Sequence, residues 1–245
     1  QFTVTATDAN RHVIRYCRLI TGRSNIMVID RCYHGSVDET FATLDDVGNT
    51  VKREGNLGAP VDLDVTTRVV EFNDLAGMEA ALKHGDVAAI LMEPAMTNVG
   101  IVLPQAGYLE AVAELAKKHG VILIIDETHT ISVGPGGMTK QLGLKPDFFT
   151  IGKALAAGIP VGTFGMTQAV ADAIKKHVEI EKIDTGGIGG TLAGNILALA
   201  AMRATLTDVL TEANFAKMIE LGDRWSDGVD AAIREYDLDW HCNRL

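Results

Sequence analysis

Two charged residues at the ends of short apolar runs carry the clearest chemical promise in this sequence. Val121 to Ile125 is continuously apolar and stops at Asp126; Phe148 to Ile151 is a second run that stops at Gly152-Lys153. Such runs read as buried parallel strands. The carboxyl ends of those strands are where open α/β sheets bind ligands. A carboxylate and an ammonium held at that edge need each other or a ligand of matching charge. A structural ion pair and a ligand site are therefore the two readings.

A third feature adds a seat for an anion. Residues from Ala9 to Ile20 place Val13, Ile14, Cys17 and Ile20 at the spacing of one helix face, with Gly22 as a C-cap. Thr7 and Asp8 sit where N-cap residues belong, so this helix start offers free N–H groups and a positive dipole end. Phosphate binds naturally at such a terminus, although a capped helix without a ligand explains the same residues. Pyridoxal phosphate accounts for all three features at once. Its aldehyde suits a lysine, its ring nitrogen a carboxylate, its phosphate a helix start, and its flat face an aromatic side chain. A lysine desolvated beside polar groups can lose its proton and form a Schiff base. An aspartate that keeps the ring nitrogen protonated preserves the electron sink.

Rival chemistries lack their partners. The apolar run before Asp126-Glu127 resembles the Walker B strand of a nucleotide hydrolase, but no G-x-x-x-x-G-K-[ST] precedes it. Gly187-Ile188-Gly189 follows the charged segment Glu179 to Asp184, so the strand required by a dinucleotide fold is missing from the sequence pattern. Seven histidines are scattered without metal-ligand spacing, and His129, two residues after Glu127, is unspecific. No G-x-S-x-G nucleophile is present.

The elements that must hold these residues alternate between strand and helix. Strands are expected at Phe2 to Thr5, Asn25 to Asp30, Thr67 to Phe72, Val87 to Met92 and Val161 to Met166. Helices are expected at Leu75 to Lys83, Tyr108 to Lys118, Val170 to His177, Ala193 to Leu210 and Phe215 to Tyr236. Residues 45 to 64, rich in Gly, Asn, Asp and Pro, read as a surface excursion. That pattern is an α/β fold with a mostly parallel sheet flanked by helices. The net charge of −10 without a basic cluster speaks against nucleic acid and anionic membranes as partners. Apolar runs of five or six residues are too short to span a bilayer. Three cysteines without paired spacing fit a reducing cytoplasm. The chain opens at Gln1 already in a strand-like run and stops as another begins near Leu238, so a fragment is expected.

With these residues in view, the chain resembles the class III (omega-type) aminotransferases of fold-type I, and within them the glutamate-1-semialdehyde aminomutase branch. Thr5-Ala6-Thr7-Asp8-Ala9 stands where the family has its phosphate-binding Ser-Gly-Thr-Glu-Ala. Cys32-Tyr33-His34-Gly35 matches the run that lays an aromatic over the cofactor ring, which would be Tyr33, beside His34. Glu93-Pro94 through Asn98-Val99-Gly100 is similar to the family's Glu-Pro strand end, with Asn98 approaching the cofactor's 3′-oxygen. Asp126-Glu127 and Gly152-Lys153 match the ring-nitrogen aspartate and the Schiff-base lysine. Gly190-Thr191-Leu192-Ala193-Gly194-Asn195 matches the run whose threonine touches the neighbouring subunit's cofactor phosphate.

Departures from the family pattern fall around the cofactor. Ala6 replaces a glycine of the phosphate loop, and Ala156-Ala157 replace two glycines after the lysine. An alanine is tolerated where φ is negative and costly where it is positive. Thr128 stands where a valine packs under the ring, and His129 to Gly137 lack the Gly-Phe-Gly-Arg run of the omega-transaminase branch. The resemblance implies a fold-type I large domain over residues 1–236, with 237–245 opening a C-terminal small domain. It further implies a homodimer that binds pyridoxal phosphate without a metal and acts on small amine or amino-acid and oxo substrates. Transamination is the first expectation, with Lys153 and Asp126 as catalytic residues. An aminomutase, or a non-catalytic relative that keeps the fold, are the alternatives.

Overall fold

A computed structural model describes residues 1–179 and 187–245. The elements are, in order, β1 (Phe2–Thr3), α1 (Ala6–Thr21), β2 (Asn25–Ile29), β3 (Ala42–Leu44), β4 (Thr50–Lys52), β5 (Thr67–Val70), α2 (Leu75–Leu82), β6 (Val87–Met92), α3 (Tyr108–His119), β7 (Ile122–Asp126), α4 (Gly137–Gln141), β8 (Phe148–Ile151), β9 (Gly162–Met166), α5 (Gln168–His177), α6 (Ile196–Ala204) and α7 (Glu212–Glu235). Among the described residues, seven strands form one sheet in the order β1-β9-β8-β7-β6-β2-β5. The five strands from β8 to β5 run parallel, β9 is antiparallel to β8, and β1 is antiparallel to β9. Every residue of β2, β6 and β7 is buried, which is why their sequences are continuously apolar and not alternating.

Helices cover the sheet. α1 lies across β6, β8 and β9 beside α5, while α2 and α3 pack together against β5 and β7. α1 buries Ala9, Val13, Ile14 and Cys17, and full burial of a side chain such as Ile14 contributes about 1.5–3 kcal/mol. No helix among the described residues is long and apolar enough to cross a membrane.

Differences from the sequence expectation sit at element ends. The N-cap of α1 is Thr5, which exchanges hydrogen bonds with Asp8 in a capping box, so Thr7 lies inside the first turn. The excursion at 45 to 64 contains strand β4, which pairs antiparallel with β3 across a turn at Gly48. The helix expected from Ala193 to Leu210 is regular only over α6. It passes into a π-turn at Thr205–Val209, where the Thr205 and Thr207 hydroxyls donate back to the carbonyls of Ala201 and Arg203. Residues 237–245 carry no strand, because no neighbouring strand pairs with them. Most of the expected irregular segment Glu179 to Asp184 lies outside the described residues, as does Gly186.

Candidate active site

The carboxyl ends of β2, β6, β7 and β8 face one cavity of about 350 Å³. Tyr33 and His34 follow β2, Glu93 follows β6, Asp126 ends β7 with Thr128 and His129 just after, and Lys153 follows β8. The start of α1 supplies Thr5, Ala6 and Thr7. Strand order reverses between β2 and β6, the crevice where such sheets bind ligands. Chain connectivity alone therefore brings these distant residues to one place.

Asp126 is 3% exposed and held from both sides. Its Oδ2 accepts hydrogen bonds from Asn10 Nδ2 at 3.0 Å and His34 Nδ1 at 2.8 Å, and its Oδ1 accepts one from the Thr128 N–H at 3.0 Å. Burial alone would raise this carboxyl, but the His34 hydrogen bond and charge and the Thr128 contacts outweigh it and bring it to about 2. Burial opposes charge on His34, yet the Cys32 sulfur and the Asp126 carboxylate overcome that and raise it to about 10. The pair is thus an imidazolium beside a carboxylate, at the buried side of the cavity.

The structural ion pair between Asp126 and Lys153 is not formed. Asp126 spends its charge on His34, and among the described residues the Lys153 amine has no hydrogen-bond or ion-pair partner. Lys153 is exposed on the cavity and not desolvated among apolar side chains. It opens a one-turn 3-10 helix, Lys153–Ala156, with φ +41°, a conformation rare for a residue with a Cβ.

At the other end, the backbone N–H groups of Ala6 and Thr7 occupy the first turn of α1 and have no intrahelical acceptor. The Thr7 hydroxyl accepts from the Ser36 N–H at 3.1 Å, tying the helix start to the loop after β2. Gly35 makes that approach possible: its φ is +81°, and a Cβ there would collide with Thr7 Oγ1. Of the alanines that replace family glycines, Ala6 lies in helical backbone and Ala156 in the 3-10 turn, whereas Ala157 is held at φ +50°. The strain falls on one of the three.

Three residues that line the cavity each bury a polar atom, His34 Nε2, Glu93 Oε1 and Thr128 Oγ1, that has no hydrogen-bond partner among the described residues. Free helix-terminal amides, an anchored carboxylate, a primary amine and the exposed ring of Tyr33 fit a flat, phosphorylated pyridine aldehyde. Asn98 and Thr191 are exposed and stand outside the cavity lining. Glu127 is buried but turned away into the 130s loop, accepting from Thr130 Oγ1 and from the N–H groups of Met138 and Thr139.

Sequence reasoning missed three residues of this site. Asn10 and Thr150 form a buried chain to Asp126, Thr150 Oγ1 donating to Asn10 Oδ1 at 2.8 Å, and Thr97 hydrogen-bonds both Glu93 and His129. Asn10 was legible as a polar residue inside the apolar stripe of α1. Thr97 and Thr150 carried no local signal.

The fold that carries this site recurs in known proteins. The chain is 35% identical over 248 residues to the glutamate-1-semialdehyde 2,1-aminomutase of Anaeromyxobacter dehalogenans strain 2CP-C, covering 100% of this chain and 56% of that protein. A crystal structure of a glutamate-1-semialdehyde aminomutase from Pseudomonas aeruginosa PAO1 in complex with PMP superposes with a TM-score of 0.97 at 48% identity, covering 100% of this chain and 55% of that one. An omega-transaminase from Sphaerobacter thermophilus superposes with a TM-score of 0.79 at 30% identity over 96% of this chain and 54% of that one. The chain thus spans about half the length of the relatives it matches. With the Aminotransferase class-III family matching residues 2–238, sequence and fold agree that the chain belongs to that family.

Proposed function

We propose that this chain is the cofactor-binding part of a pyridoxal-phosphate enzyme that moves an amino group between carbon atoms of small amine or amino-acid and oxo compounds. The observation that carries the reading is the convergence on one cavity of Lys153, unpaired among the described residues, an anchored anionic Asp126 and the free amides of α1. The bound cofactor supplies an electron sink for the carbanion left when a proton departs the amino-bearing carbon. Lys153 would hold the aldehyde end of the cofactor, and its amine would hold and move that proton as general acid–base. Asp126, kept anionic by His34, would hold the ring-nitrogen end. Tyr33 covers the ring, with His34, Glu93 and Thr128 around it, and Ala6 and Thr7 bind phosphate. Thr191, exposed on the surface, would contact the phosphate bound by a second copy in a homodimer, and Asn98 would stand beside the cofactor in the complete protein.

Similarity to proteins named glutamate-1-semialdehyde aminomutase favours transfer within one molecule over the transamination expected from sequence. Transfer between two molecules is the second reading, favoured by likeness to an omega-transaminase. Acceptor dependence separates them. Full-length protein given amino substrate without an oxo acceptor should yield isomerised product; turnover only after an acceptor is added supports the transaminase. Absence of turnover from both assays, with cofactor bound, would leave the non-catalytic relative.

A further inference from the structure

One wall of the cavity has a polar chain that the phosphate, ring nitrogen and aldehyde leave unmatched. Glu93 is 5% exposed, and its Oε2 accepts the Thr97 hydroxyl at 2.6 Å. Thr97 Oγ1 in turn hydrogen-bonds His129 Nδ1, which stands 3.6 Å from the same carboxylate oxygen. The Thr97 hydroxyl has one proton for two partners, so when it donates to Glu93 Oε2 its oxygen accepts from His129 Nδ1–H. In that tautomer Nε2 carries the lone pair. Among the described residues Nε2 has no partner, and His129 lines the cavity. Glu93 Oε1 also lacks a partner among the described residues but is closed off from solvent.

We infer that the Glu93–Thr97–His129 wall is a substrate subsite for a hydrogen-donating group, an ammonium or a hydroxyl, borne by the substrate away from its reacting amine. His129 Nε2 is its acceptor, and Thr97 is the positioning residue that sets the imidazole tautomer. The inference rests on the amino-transfer reading of the cavity. The other charged groups facing the cavity are Asp126 and His34, engaged with each other, and Lys153, assigned to the cofactor. A substrate carboxylate at this wall would meet the lone pair of His129 Nε2 with the Glu93 carboxylate close to it, which selects against it.

The test uses full-length protein with cofactor and amine substrates alike except for a terminal ammonium, hydroxyl, methyl or carboxylate. Wild type should favour the ammonium or hydroxyl substrate over the methyl one by about tenfold or more in kcat/KM, because a site built around an acceptor penalises a substrate that leaves it unpaired. His129→Leu and Thr97→Val should erase that preference while the visible absorbance of bound cofactor persists. Preference for the carboxylate substrate, or a preference unchanged in both variants, overturns the inference. Nitrogen-15 spectra of ring-labelled histidine give a readout independent of turnover. Wild type should show His129 protonated at Nδ1 and bare at Nε2, and Thr97→Val should mix the tautomers. A proton resident on Nε2 in wild type would refute the subsite even if cofactor never binds, whereas failure to bind cofactor alone strikes the amino-transfer reading.

Discussion

His34 Nδ1 and Asp126 Oδ2 lie 2.8 Å apart with both side chains almost fully buried, and this contact sets the electrostatics of the cavity floor. A buried carboxylate without a cation would sooner take up a proton than stay charged. Here the imidazolium keeps it anionic, while Asn10 and the Thr128 N–H fix its direction. Of the carboxylates on the cavity wall, Asp126 is the one so anchored, which suits a role toward a ring nitrogen.

The pair makes stability depend on pH in a defined window. His34 is raised from 6.5 to about 10, so its contribution is complete below pH 6.5 and declines as pH rises toward 10. Asp126 is lowered from 3.8 to about 2, so its contribution is complete above pH 3.8 and is lost as pH falls toward 2. Breaking a buried pair by removing one partner costs roughly 3–5 kcal/mol. Denaturant unfolding of His34→Gln and wild type should therefore differ most between these limits, and the difference should shrink by pH 9–10. A difference that grows with alkalinity would contradict the pairing.

Asn10 gives a second handle on the same carboxylate. Its Nδ2 donates to Asp126 and to the His34 carbonyl at 3.0 Å each, and its Oδ1 accepts from Thr150. Asn10→Ala leaves buried groups unpaired, at a cost of about 1–3 kcal/mol in stability. With one donor gone, the Asp126 carboxyl should rise. Absorbance titration should then show the bound cofactor's spectrum shifting at higher pH than in wild type.

Ala157 sits at φ +50°, where a Cβ is strained and glycine is not. Ala157→Gly should raise stability by about 1 kcal/mol, after allowing for the extra freedom glycine has in the unfolded chain. Ala6→Gly lies in helical backbone and should lower it by a few tenths, as glycine does near a helix start. Thermal unfolding of the two variants should move in opposite directions, and a shared direction would show that backbone angle does not decide the outcome.

Glu127 anchors the 130s loop through Thr130, Met138 and Thr139 and is not itself a residue of the cavity lining. Glu127→Gln should speed hydrogen exchange at the Met138 and Thr139 amides, since an amide oxygen is a weaker acceptor than a carboxylate. Protection at Val87 to Met92 should be unchanged. Equal loss at both places would mean that the residue supports the core.

Much of the architecture was legible because burial on both faces writes itself into sequence. β6 and β8 begin and end where their apolar runs do, since a loop residue bounds each. The start of α1 was misplaced because Thr7-Asp8 and Thr5 both look like caps, and only the Thr5–Asp8 exchange distinguishes them. The end of α6 was hidden because the helical pattern continues through Thr205 and Thr207, whose hydroxyls compete for the helix's own carbonyls. Within the site, Lys153 and Asp126 stood out as charges ending apolar runs. Thr97 and Thr150 are ordinary hydroxyls until β6 and β8 bring them beside Glu93 and Asn10. His129 looked unspecific because its partners come from a different strand end.

The central claim is that Lys153 bears the cofactor. Full-length protein mixed with pyridoxal phosphate, reduced with borohydride, digested and mapped by mass spectrometry tests it directly. The account predicts a single pyridoxyl-modified peptide carrying Lys153, together with a visible absorbance band that Lys153→Ala abolishes while the circular dichroism of the fold is retained. Modification at another lysine with Lys153 untouched, or a band that survives Lys153→Ala, would contradict it.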